Sequence, residues 1–152
     1  MITTNAEYKR ALERLENDLK TIKKQKEKLI EMDLSEEEID RALQPLLSFH
    51  EQLKEEVEAY ERLKRGDFGA LYSLNGIGRW LIGFRIAKGW TQTELAKQLG
   101  VSQAQVSKDE SNEYHGVSLE KAQRILEVFN TKIKVEVEEP FSFEEGPQLE
   151  YA

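Results

Sequence analysis

Cysteine is absent from this chain of 152 residues. Disulfides and thiolate metal sites are therefore excluded, which suits a reducing cytoplasm. Histidine occurs only twice, leaving almost no material for a His-based metal site. Aromatic residues make up 9% of the chain against 34% charged, the balance of a helical rather than a β-rich protein. No apolar run approaches the roughly 20 residues that a membrane helix needs. The segment Met1-Ile2-Thr3-Thr4-Asn5 lacks the basic and apolar regions of a signal peptide. The sequence also has no glycine-rich phosphate loop, nucleophile elbow or HExxH pattern. Its many carboxylates fall on exposed helix faces, not in the buried pairs that shift a pKa. The expectation is a cytoplasmic protein that is not an enzyme, touches no membrane, and has no catalytic residue, metal or cofactor.

Positive charge is in deficit as well, with a net charge of −7. The deficit is uneven. Residues 1–75 hold 13 Lys/Arg and 17 Asp/Glu, residues 76–134 hold 9 and 6, and residues 135–152 hold none and 6. Only the middle segment is positive. Phosphate binding follows the local field rather than the total. The acidic total is thus compatible with DNA as a partner and predicts modest affinity.

What the chain does have is helical periodicity. Tyr8, Leu12, Leu15, Leu19, Ile22, Lys26 and Leu29 recur with strict 4-3 spacing, as do Ile39, Leu43, Leu46, His50, Leu53, Val57 and Tyr60. Such seams mark coiled-coil packing. Between them, Ser35 is placed to cap the second helix, Glu38 to complete a capping box, and Leu34 to staple against Ile39. So short a connection makes the helices antiparallel neighbours. Pro45 should kink the second helix. Lys26 and His50, polar members of the seams, are expected to set register or to snorkel.

Arg65-Gly66-Asp67-Phe68-Gly69 reads as a boundary. Beyond it a helix is expected from about Ile77 to Lys88, with Ile77, Leu81 and Phe84 on one face and Gly89 as its stop. Two helix starts of the same design follow. Thr91 caps the first with Glu94 as return partner; Ser102 caps the second with Gln105 in that role. Trp90 with Leu95, and Val101 with Val106, are candidate staples. Gly100 lies where a left-handed residue ends the first of these helices. The two run about 92–99 and 103–111. Helix, glycine turn, helix is the geometry that lays a second helix in the DNA major groove. Ser118 caps a last helix with Leu119, Ala122, Ile125, Leu126 and Phe129 at core spacing. Trp80 and Trp90 are read as packing residues. Lys132 to Glu138 alternates polar and apolar, a strand signal whose backbone groups must find a partner.

Arg85, Gly89, Thr91-Gln92, Glu94-Leu95-Ala96, Leu99-Gly100-Val101-Ser102, Val106-Ser107 and Glu110 together resemble the Cro/CI-type helix-turn-helix family, often called XRE regulators. The resemblance covers residues 77–130 and implies a bundle of four or five helices. It further implies that Arg85 pairs with Glu110 to brace the recognition helix, and that Gln92 contacts phosphate. Gln103, Ala104, Gln105 and Lys108 would point toward base edges. The chemistry suits those roles: Gln bonds bidentately to adenine, Lys reaches guanine acceptors, and an Ala methyl meets a thymine methyl. Helix N-termini offer N–H groups to phosphate, and the expected phosphate set is Thr91, Gln92, Ser102 and Ser107. Asp109, Glu110 and Glu113 crowd the end of the recognition helix and oppose tight binding by a monomer.

The wider layout, with Ala6-Glu7-Tyr8-Lys9-Arg10-Ala11-Leu12 and Ala59-Tyr60-Glu61 ahead of that unit, also resembles antitoxins of the host-inhibition-of-growth (HigA-like) type. That resemblance implies room for a protein toxin as partner.

The sequence thus predicts a mainly α protein: an N-terminal antiparallel helical hairpin followed by a Cro/CI-type four- or five-helix bundle with a C-terminal β-strand. The expected divisions are 1–66 hairpin, 67–76 linker, 77–131 helix-turn-helix unit, 132–139 strand and 140–152 acidic tail. The expected function is sequence-specific DNA binding by a homodimeric transcriptional regulator, its second reading head about 34 Å away, one duplex turn along. The strand and the hairpin are the candidate dimer elements. The alternative is an autorepressing antitoxin that binds a toxin through the hairpin or the strand.

Overall fold

The computed structural model describes residues 1–136, and the regular structure among them is helical. Two long helices come first, α1 (Asn5–Glu31) and α2 (Glu36–Lys64). Four shorter ones follow: α3 (Ile77–Ala87), α4 (Gln92–Leu99), α5 (Gln103–Ser111) and α6 (Leu119–Val128). A single 3-10 turn at Leu74–Gly76 leads into α3. Local chemistry sets the boundaries. Ser35 and Glu38 form the expected capping box on α2, and Thr91 and Glu94 the one on α4. Ser118 accepts from the Lys121 N–H at the start of α6. Thr4 and Glu7 form a further box on α1, a Thr-x-x-Glu signal as legible as the others but not among the expected caps. α2 runs unbroken through Pro45.

α1 and α2 lie antiparallel, as Tyr8 shows: its ring stacks on Tyr60 at 4.9 Å between centroids, and its hydroxyl donates to Glu61 Oε1 at 2.7 Å. The α2 seam is buried at Ile39, Leu43, His50, Val57 and Tyr60. The α1 seam differs from the 4-3 reading. Ala11 is buried, and Leu15, Asp18, Ile22 and Leu29 are half-buried, whereas Leu12, Leu19 and Lys26 are exposed. The helix is rotated so that only one of its two heptad rows meets α2. Lys26 therefore stands clear of the seam, while His50 lies inside it with Nδ1 facing no protein acceptor or donor.

The core is centred on α3. Gly78 and every residue from Leu81 to Ile86 are buried, so this helix is enclosed on more than the one face its spacing suggested. α4 and α6 cover one side with Leu95, Ala96, Leu99, Ala122, Ile125 and Leu126; Ile2, Ala11, Val57 and Tyr60 belong to the same packed cluster. Residues 67–76 join it too: Phe68 meets Phe84 edge-on at 4.8 Å and accepts a hydrogen bond from Trp80 Nε1. Trp90 packs on Phe129 at 5.3 Å, so both tryptophans do serve packing. The expected C-terminal strand is not formed by residues 132–136, for which the described residues offer no partner strand; residues 137–139 of it, and the acidic tail 140–152, lie outside the described residues. No described helix is long and apolar enough to cross a membrane.

Candidate nucleic-acid interface

α4 and α5 are joined by three residues. Gly100 ends α4 with φ 68°, a conformation glycine adopts without a Cβ penalty, and Ser102 caps α5 in an extended conformation. The Ser102 hydroxyl accepts from the Gln105 N–H, but Gln105 does not close the box. Its side-chain amide donates to Asp109 Oδ1 at 2.9 Å instead. A charge-assisted hydrogen bond to a carboxylate one turn along draws the amide down the helix, away from the Ser102 N–H that a capping box would have it accept from.

One face of α5 is fastened from below. Val106 and Glu110 are buried. Glu110 is 1% exposed and Arg85 3%, and the two form a bidentate pair, Nε to Oε1 at 2.5 Å and Nη2 to Oε2 at 2.6 Å. Two more of the Arg85 N–H donors go to the carbonyl oxygens of Trp90 and Thr3, each at 2.8 Å. Arg85 thus links Glu110 of α5 to the third residue of the chain.

The brace continues to the surface. Gln92 Nε2 donates to Glu110 Oε2 at 2.9 Å, and Gln103 Nε2 donates to Gln92 Oε1 at 3.0 Å. A hydrogen-bonded line thus runs from buried Arg85 to exposed Gln103. Around it, Ala104, Gln105 and Lys108 are exposed and Ser107 is half-buried. Lys108 forms no salt bridge among the described residues, leaving its ammonium group available. At the start of α4, the Thr91 N–H and hydroxyl both donate to Glu94 Oε2, so the backbone and side-chain donors of Thr91 are both engaged. Those bonds hold the Glu94 carboxyl below the usual carboxylate range. The N–H groups of Gln92 and Thr93, in the first turn, are the ones without an intrahelical acceptor.

The acidic end of α5 is compensated. Asp109 Oδ2 meets Lys121 Nζ at 2.6 Å, Glu113 Oε2 meets Arg79 Nε at 2.8 Å, and Glu110 has Arg85. Each of the three carboxylates that the sequence sets against DNA has its own cation, and none of the three cations is sequence-adjacent to its partner. Burial, followed by the nearby charges of Glu110 and Asp109, pushes the Tyr114 phenol well above its ordinary range.

Residues 83–135 match the helix-turn-helix family model. Neither a search of curated proteins nor one of solved structures returned a match.

Proposed function

We propose that this chain, which carries a Cro/CI-type helix-turn-helix unit at residues 83–135, is a DNA-binding transcriptional regulator that reads its operator as a homodimer. One observation carries the reading. The outer face of α5, with Gln103, Ala104, Gln105 and Lys108, is solvent-facing, while its inner face is locked by the buried Arg85–Glu110 pair. A helix held in that way loses little conformational freedom when it enters a groove. Gln103 and Gln105 suit adenine, Lys108 suits guanine O6 or N7, and the Ala104 methyl suits thymine. Gln92 and the first-turn N–H groups of α4, together with Ser102 and Ser107, face phosphate. A single short helix reads few base pairs, and two-fold pairing supplies the rest.

Gel shifts against the DNA upstream of the gene, in rising salt, test this. The expected result is salt-sensitive binding. Lys108→Ala and Gln103→Ala should each weaken it by about 1–3 kcal/mol at the base concerned. Absence of a shift, or one indifferent to both variants, removes the reading. The second reading, an antitoxin, is favoured by one observation: apolar side chains left exposed along the hairpin, among them Leu19 and Phe49. Co-purification of a small basic protein encoded beside this one would support it.

A further inference from the structure

α1 carries a heptad repeat of which the chain uses half. Tyr8, Leu15, Ile22 and Leu29 turn toward α2. The companion row turns away: Leu12 is 41% exposed and Leu19 56%, and Lys26 continues the row one heptad on. Ile30, 54% exposed, falls on the same stripe, since it follows Leu12 by 18 residues, five whole turns. This stripe is displaced from the buried seam by roughly 70° at 3.6 residues per turn. On α2, Leu47 is 39% exposed and is displaced from its own seam by roughly the same angle in the same rotational sense. In an antiparallel pair such residues emerge on one flank. Phe49 is displaced the opposite way and emerges on the other.

The Tyr8–Tyr60 stack fixes the register, so residue i of α1 lies beside residue 68 − i of α2. Leu47 is then level with Thr21. Leu12 and Ile30 lie equally far below and above that level. So do Glu16 and Lys26. Lys54 and Asp40 form a third such pair, and Glu51 lies close to the level of Glu16.

The geometry points to this flank as a self-complementary interface, on which a second copy of the chain lays its hairpin antiparallel to form a four-helix bundle. A two-fold axis through Leu47 sets Leu47 on its own copy and Leu12 on Ile30 of the second copy. It sets Lys26 against Glu16 and Glu51, and Asp40 against Lys54. Every match is made twice, as an isologous contact requires. An unrelated partner would need none of these symmetric spacings. The exposed intrachain pairs Lys20–Glu16 and Lys54–Glu51 are easily redirected, because such pairs contribute little. Lys26, in an otherwise apolar row, then fixes register, as a lone polar residue does in a coiled coil.

This inference rests on the homodimer reading, not on DNA.

The test is the solution mass of the full chain without DNA, by sedimentation and light scattering, with helicity followed by circular dichroism. Wild type should be a dimer. Leu19→Asp with Leu47→Asp should weaken dimerisation at least 100-fold at unchanged helicity, and Phe49→Asp should leave it intact. Lys26→Glu should weaken it about 10-fold, and adding Glu16→Lys and Glu51→Lys should restore it. These last three positions are exposed, so folding does not confound them. A monomeric wild type overturns the proposal, including one that gains mass only with a different protein. So does a dimer indifferent to the Leu19 and Leu47 changes. A dimer that behaves as described but shifts no DNA leaves the interface standing and removes the DNA reading alone.

Discussion

Arg85 Nη2 donates to the carbonyl oxygen of Thr3, 82 residues upstream, at 2.8 Å. The same guanidinium holds Glu110 of the proposed recognition helix. The first three residues are thus part of the support beneath the proposed DNA-facing surface. Ile2 is buried beside them.

Ile2→Ala should therefore destabilise the whole fold by about 2–4 kcal/mol, the usual cost of emptying a buried isoleucine site. Urea unfolding followed by circular dichroism measures it. A change below about 0.5 kcal/mol would mean that this segment is not packed.

The buried Arg85–Glu110 pair should show strong coupling. Glu110→Gln and Arg85→Met should each cost about 3–5 kcal/mol, because each strands a buried charge. Arg85→Met combined with Glu110→Leu should cost far less than the two single changes together. A double-mutant cycle on chemical denaturation gives the coupling.

Gly78 is the point where α3 meets the turn after α5. A Cβ there would lie 1.8 Å from the Glu113 carbonyl oxygen, a backbone atom that cannot swing aside. Glu113 and Tyr114 already sit at φ 49° and 52°, uncommon for such side chains. Alanine at an open helix position gains about 1 kcal/mol over glycine. Gly78→Ala should reverse that sign and lower the melting temperature, with the loss of DNA binding following the displaced end of α5.

Acid should loosen the helix starts. The Glu38 and Glu94 carboxyls are held below their usual range by hydrogen bonds from Ser35 and Thr91. At Glu7, burial acts upward but the bonds from Thr3 and Thr4 outweigh it. A carboxyl whose folded value is depressed stabilises the fold above its unfolded value, about 4.3, and that contribution fades as pH falls through the lower folded value. Stability should drop from about pH 4.3 downward, and Glu94→Gln should flatten part of the slope. At the alkaline end the sign is opposite. The raised Tyr114 phenol favours the fold at neutral pH and ceases to do so as pH rises above about 10, where the unfolded phenol ionises. Tyr114→Phe should reduce that alkaline loss.

Local signals were the legible part of this chain. Ser35 with Glu38, Thr91 with Glu94, Gly100, Ser102 and Ser118 each act within four residues, and the bounds of α4 and α5 follow from them. The Arg85–Glu110 pair was reached through family resemblance, not spacing. Long-range facts were hidden. Nothing near Leu12 or Leu19 tells which of two equivalent heptad rows will meet α2; that choice depends on how Ile2, Tyr8 and Tyr60 seat against α3. Nothing near Asp109 or Glu113 announces Lys121 or Arg79 as their counter-charges. The Gln105 side chain was misread as a cap because the Asp109 carboxylate, one turn away, holds its amide N–H and turns the side chain from the Ser102 N–H.

Ile2, Val57 and Tyr60 share one packed cluster with Leu81, Leu95 and Ile125. It follows that the helix-turn-helix unit is not a cassette. Transplanted without its first two helices, it would bare the flank of α3 and strand the Arg85 fork, so a chimera built at the glycine-rich boundary inherits an open wound rather than a clean edge. Under the proposed DNA reading, specificity is more readily recast by exchanging the outer side chains of α5 than by grafting a foreign segment onto the hairpin.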